Sequence, residues 1–441
     1  MKISKFIKLI FALTIFSISY FFCSCNSCGT TNQNNCNNNA QDGTETGIDC
    51  GGSCSPCFPV DMDKELLIID PVIVDSPAAL SGQLSFGAII QRLSGTLSSK
   101  DVLMSFLTSW DTPQIVNNIT VQPRLNNRNE IITEWKTRDG NATISDNNWN
   151  PNFLNAPFRL LAINSRFDLT HFPSNKIGEG RLTYGLDSGN SRYTMIFEFN
   201  LEGDSELKRI ASMKRWHQLS NMDQNSQEYL DTLIAIVLDF TSEPSDLSQL
   251  RTNEFLSGSR WEFREFNIES DGLFHEVTRK SSPTTELQGN PILLNYIDAR
   301  GNDISNGIVD EQFSGNNILA GNTLYGSNFT WQVSGATPQQ QQKLDELTFV
   351  SCVGCHGGLV SGTGFTHIKP RQQGNASQIS SFLSGDIQNR IQLVTNTLIL
   401  PPPTSFQIQP LMDSSAFVLR TSQVEDIKEM LHKFKDVKRT H

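Results

Sequence analysis

Beyond residue 22 the chain has no long hydrophobic run, and between residues 58 and 351 it has no cysteine. The first absence excludes a helical membrane span in the body of the protein, since such a span needs about 20 consecutive apolar residues. The second means that the large middle folds without disulfides. Basic residues are also in short supply: 35 Lys and Arg against 46 Asp and Glu give a net charge of -11. With no basic stripe, nucleic acid is not expected as a partner, because its phosphates would be repelled. The chain lacks a nucleophile elbow, a zinc-protease histidine pair and a phosphate-binding lysine loop. Gly178-Glu179-Gly180 is too short to cradle a phosphate. No repeat of fixed period is found.

The amino terminus carries an export signal. Lys2, Lys5 and Lys8 precede an uncharged, mostly apolar stretch from Leu9 to Phe22, which is too short for a membrane span and has the layout of a secretory signal. Cys23, Cys25 and Cys28 follow at once. The arrangement resembles a bacterial lipoprotein signal, which implies lipid attachment at the first mature cysteine. Cys25 is the better candidate because small Ser24 precedes it, whereas bulky Phe22 precedes Cys23. An ordinary cleaved signal is the alternative. Residues 1–24 are thus expected to be the signal, and membrane attachment to run through lipid alone.

Residues 25–58 are rich in Asn, Gly, Thr and Cys and poor in large apolar side chains, so no core forms there. Cys36, Cys50, Cys54 and Cys57 suit two small disulfides, with three pairings open. Zinc is the weaker alternative in an oxidising compartment with no histidine nearby. Cys28 has no evident partner. The run from Asp42 to Gly52, ending in Cys54 and Cys57, resembles short cysteine-rich modules of bacterial surface proteins and is expected to be a stapled spacer that lifts the body off the membrane.

The remainder, about 380 residues, is enough for two or three domains. Periodicity predicts helices over 78–93, 100–110, 206–240, 291–300, 337–350, 376–383 and 422–437. Alternation predicts strands over 158–169, 181–186, 193–201, 261–268 and 272–280, with Asp271-Gly272 as a turn. Residues 113–151 read as loop around a short apolar run at Ile131 and Trp135. The expectation is an α+β fold, an antiparallel sheet with packed helices over 59–300. A linker or long loop follows over 301–330, then a mainly α-helical domain over 331–441. Arg159, Arg166 and Asp168 read as an ion-pair network. His217 and His275 read as structural histidines.

The last two cysteines stand together in Cys352-Val353-Gly354-Cys355-His356. Two thiols at this spacing are able to bond the two vinyl groups of one porphyrin, with the next histidine as axial ligand. A redox-active or structural disulfide is the rival reading, but no thioredoxin-like strand–helix pattern surrounds the pair. The motif resembles that of c-type cytochromes. The resemblance implies one covalent haem c on Cys352 and Cys355, with iron on His356, and a cytochrome c-like domain over 331–441.

For the sixth ligand, His367 lies eleven residues on, within reach round a haem edge at about 3.3 Å per residue. Met412, after the prolines at 401–403, fits a His/Met arrangement; Met430 and His432 are weaker candidates. His367 is preferred. A single motif disfavours the di-haem peroxidases. The segments Phe158–Ile163 and Trp261–Phe266 resemble a group of large exported bacterial proteins, a likeness that supplies no substrate.

The expected function is therefore one-electron transfer by an extracytoplasmic mono-haem c-type cytochrome in the cell envelope, with a redox protein as its partner. The alternatives are a surface binding or scaffold lipoprotein with a late disulfide, and a haem-dependent oxidoreductase. The sequence does not decide whether the protein is an enzyme.

Overall fold

The computed structural model describes residues 36–124, 129–170, 175–189, 192–256, 260–326, 329–356 and 366–399. Cys25, Met412, Met430 and His432 lie outside them, as does the helix expected over 422–437. Twelve strands are described: β1 (Leu67–Ile68), β2 (Gln114–Val116), β3 (Ile119–Val121), β4 (Phe158–Arg166), β5 (Lys176–Leu186), β6 (Tyr193–Glu202), β7 (Leu247–Leu256), β8 (Arg260–Ile268), β9 (Phe274–Val277), β10 (Gln312–Phe313), β11 (Asn316–Asn317) and β12 (Asn322–Gly326). Eight of them form one antiparallel sheet in the order β1-β4-β5-β6-β7-β8-β12, with β9 also on β8. The other four form two small hairpins. The main helices are α1 (Phe86–Leu93), α2 (Ser99–Leu107), α3 (Glu206–His217), α4 (Gln227–Phe240), α5 (Ile292–Ser305), α6 (Pro338–Val350), α7 (Cys352–His356) and α8 (Ser381–Leu398). The fold is α+β, as the patterning predicts.

Side-chain alternation gives the sheet two unlike faces. On β6, Tyr193, Met195, Phe197 and Phe199 point to one side, opposite Leu182 and Tyr184 of β5 and Leu250 of β7. That side is buried with α1–α4 and α8 in one large apolar cluster. On the other side of β8, Trp261 and Phe263 join Tyr325, Trp331 and the apolar residues of α5 and α6 in a second cluster, which also contains Cys352.

Several elements differ from the sequence reading. The helix expected over 206–240 is two, because Ser226 caps a new start by accepting from the Tyr229 amide. β7 escapes the pattern since both its faces carry polar side chains. The stretch expected as a linker holds β12, which pairs with β8. No boundary in packing falls at 331: α6 packs against α5, and Ile387, Val394 and Leu398 of α8 are buried in the first cluster. Arg371 anchors the same region through Asp75 at 2.8 Å.

The cysteine-rich segment lies on the body instead of standing off it. Its disulfides join Cys36 to Cys54 and Cys50 to Cys57. Asp49 pairs with Lys214 of α3, and the Ile48 amide donates to the Leu398 carbonyl at 2.7 Å. Two staples give a core-less segment a fixed surface with which to dock.

Candidate haem-attachment site

The motif is positioned by the sheet. Helix α6 starts at Thr337, whose hydroxyl accepts from the Gln340 amide while the Gln340 side chain returns to Thr337, a reciprocal cap. It ends at fully buried Ser351, in extended conformation. The Ser351 hydroxyl donates to the Leu347 carbonyl at 2.6 Å, and the Trp331 indole donates to Ser351. A new helical turn, α7, begins at Cys352. Gly354 is required within it, because a Cβ there would stand 2.0 Å from the Phe349 carbonyl oxygen.

Within one helical turn, positions 352, 355 and 356 share a face by their spacing of three and four. Cys352 is a buried free thiol. Its amide donates to the Ser282 hydroxyl at 3.0 Å. Its sulfur accepts from Arg279 at 3.0 Å and from the Ser282 hydroxyl at 3.2 Å. His356 packs its ring on Phe263 of β8, with centroids 5.0 Å apart. His367 comes back to the same place: its ring centroid is 4.0 Å from that of His356. His367 is fixed from behind by the Ser380 hydroxyl, 2.8 Å from Nδ1, and by Phe382, stacked at 5.2 Å. Ser380 also caps α8 by accepting from the Leu383 amide. The second histidine is therefore held by the start of a long, well-packed helix.

Arg279 ends a line of buried charges that crosses the sheet on the motif side. Arg181 bonds Glu179 at 2.6 Å and Glu198 at 3.2 Å. Arg251 bonds Glu198 and Glu265, each at 3.3 Å. Arg279 bonds Glu265 at 3.1 Å, and Lys280 reaches the same carboxylate at 3.3 Å. At the far edge Arg166 pairs with Asp168 at 2.7 Å, the ion pair read from the sequence; Arg159 pairs with Asp75. Burial disfavours the charged form of Glu179, but Arg181 and Lys176 outweigh it and hold its carboxyl down at about 2. Burial likewise opposes ionisation of Glu265, and Arg251, Arg279 and Lys280 outweigh it, leaving its pKa lowered.

The donor set suits a covalently held haem. Two imidazoles converge, one on the attachment turn and one carried by a separate anchored segment. Arg279, Ser282 and, at 3.8 Å, the Thr323 hydroxyl all donate to the Cys352 sulfur, and a thioether sulfur still accepts a hydrogen bond although it has no proton to give. The two rings, now in contact at 4.0 Å between centroids, would have to part to admit a macrocycle between them.

Of the site residues read from the sequence, the structure brings His356 and His367 together and sets Cys352 at the start of the same helical turn as His356, its sulfur buried against Arg279 and Ser282. The Cys355 side chain lies outside the described detail. Arg279, Ser282, Phe263 and Ser380 were not singled out; only β-strand alternation could have placed Phe263, and nothing local marks the others. His217 is structural, held between Glu65 at 3.0 Å and the Phe58 carbonyl at 3.1 Å. His275 is exposed and bonds Asp271 at 2.8 Å. No described helix is long and apolar enough to cross a membrane. No family model, curated protein or solved structure matches this chain.

Proposed function

We propose that this chain is an extracytoplasmic mono-haem c-type cytochrome that transfers single electrons at the cell envelope, held to the membrane by lipid on Cys25. The observation that carries the reading is the meeting of His356 and His367 beside the paired-cysteine turn. Eleven residues separate them in sequence, and each is set by its own packing, yet their rings are in contact.

When bound, the haem supplies a one-electron ferric/ferrous couple. Cys352 and Cys355 hold it by thioethers. His356 and His367 would hold the iron. With Nδ1 of His367 engaged by Ser380, Nε2 is the nitrogen left to bind a metal, and the hydrogen bond fixes the ring orientation. Phe263 and Phe382 pack on the two imidazoles. The acidic surface suits a basic redox partner protein.

The test is intact-mass analysis and an alkaline pyridine haemochrome spectrum of protein matured in a host that attaches haem c. The expected result is one haem per chain, resistant to acid–acetone extraction, with attachment loosened by Cys352→Ala or Cys355→Ala. A colourless protein, two hydrogens lighter than its reduced chain because Cys352 and Cys355 are joined, would instead support a binding or scaffold role. Small-ligand binding to a five-coordinate iron would favour the oxidoreductase alternative.

A further inference from the structure

The line of charges crossing the sheet is not needed to hold strands together. Apolar residues of the same volume do that at least as well. Its composition is uneven where it meets the motif. Two fully buried carboxylates, Glu198 and Glu265, are shared among Arg181, Arg251, Arg279 and Lys280, and Arg181 also serves Glu179. The line thus sets three arginines against three buried carboxylates, and its one surplus positive charge is that of Lys280 beside the motif, whose side chain is 58 % exposed. Its last member, Arg279, is 3 % exposed and points a guanidinium nitrogen at the Cys352 sulfur, 3.0 Å away.

Arg279 is held for this role. Past the end of β9, its amide donates to the Ala320 carbonyl at 2.7 Å. Its guanidinium is gripped by Glu265 and by the Lys280 carbonyl at 3.0 Å. An arginine stays protonated even when buried, so the charge is permanent over the whole physiological range. Any group bonded to the Cys352 sulfur sits one covalent bond from an atom in direct contact with that charge. Little water intervenes to screen it, and buried charges act over longer distances than exposed ones.

We propose that Arg279 is a positioning residue that orients the Cys352 sulfur and, through its fixed charge, raises the reduction potential of the haem attached there, with Glu265 setting how much of that charge is felt. The inference rests on the haem reading above. Reduction adds one negative charge to the centre. A neighbouring buried cation favours the reduced form, and a neighbouring carboxylate opposes it. The midpoint potential is thus set partly by side chains that touch neither the iron nor its axial ligands.

The test is spectroelectrochemical titration of the holoprotein and its variants at fixed pH and ionic strength. Arg279→Gln is expected to weaken reduction about tenfold in equilibrium constant, a fall of about 59 mV for a one-electron couple. Arg279→Lys, which keeps the charge, should return to within about threefold of the parent protein. Glu265→Gln should move the potential the other way, upward. Unchanged potentials in coloured variants would overturn the proposal. So would equal shifts in Arg279→Gln and Arg279→Lys, since charge would then not be the cause. If Arg279→Gln does not fold, Glu265→Gln decides alone: no rise overturns the proposal. A colourless parent protein removes the haem reading and this inference together, whereas a coloured one with insensitive potentials removes only the inference.

Discussion

Phe197 and Glu198 are neighbours on β6, both completely buried, and they face opposite sides of one sheet. Phe197 lies in a cluster of aromatic rings, with Tyr184 at 5.8 Å and Phe86 at 6.2 Å between centroids. Glu198 lies among guanidinium groups, with Arg181 at 3.2 Å and Arg251 at 3.3 Å. One face is stabilised by removal of apolar surface from water. The other is held by charges that tolerate burial only as a complete set. The motif grows from the second face, and so the site is built on electrostatic order, not on shape alone.

The two faces should break differently. The largest effects are expected from Phe197→Ala and Glu198→Ala, each costing about 3–5 kcal/mol in chemical denaturation, the first by leaving a cavity and the second by taking from Arg181 and Arg251 the buried carboxylate they share. Restoring volume tells them apart. Phe197→Leu should recover most of the loss, whereas Glu198→Leu should recover little, because Arg181 and Arg251 still lack the carboxylate they shared, with only Glu179 and Glu265 left to them. Equal recovery on both faces would mean that the charges are incidental.

Next in size is the pH dependence of the charged face. The pKa of Glu179 is lowered from 4.5 to about 2 in the fold, so its contribution is complete above pH of about 4.5 and is lost as pH falls through about 2. Glu179→Gln should cost about 3 kcal/mol at pH 7, and that cost should vanish toward pH 2. The cost of Phe197→Ala should stay constant over the same range. Parallel pH profiles for the two variants would contradict the contrast.

The opposite pH dependence is expected at the end of the apolar face, where Glu254, Glu262 and Glu276 surround Arg264. Burial raises the carboxyl of Glu276 to about 8; Arg264 opposes this, while Glu262 and Glu254 add to it. A raised acid is a contribution fully present below pH of about 4.5 and lost as pH rises through 8. Glu276→Gln should therefore be nearly neutral at pH 5 and should stabilise the protein by about 4–5 kcal/mol at pH 9. Thermal melts at the two pH values measure it, and a stabilisation that is larger at pH 5 would reverse the sign argued here.

The same contrast explains what the sequence disclosed. The strict alternation of Tyr193, Met195, Phe197 and Phe199 announces β6 and the direction of its core. β7 has no such signal: Gln249, Arg251 and Asn253 alternate with Leu250, Thr252 and Glu254, so neither face looks buried until the partners on β6 and β8 are known. The attachment motif is legible because five adjacent residues carry it, and His367 is legible through its nearness in sequence. Arg279 and Ser282 lie some 70 residues from Cys352. Only the pairing of β8 with β9 and β12 brings them beneath it. The docked position of the cysteine-rich segment likewise depends on Asp49 and Lys214, distant residues with no shared local pattern.

At the centre of the account is the claim that Phe263 and the α8 cap set His356 and His367 as one pair of axial ligands. Near-infrared magnetic circular dichroism of the ferric holoprotein tests this most directly, since the charge-transfer band of a low-spin haem reports its two axial atoms. The account predicts the band of two nitrogen ligands, unchanged by Met412→Ala and lost in His367→Ala. A thioether-type band that disappears in Met412→Ala would contradict it.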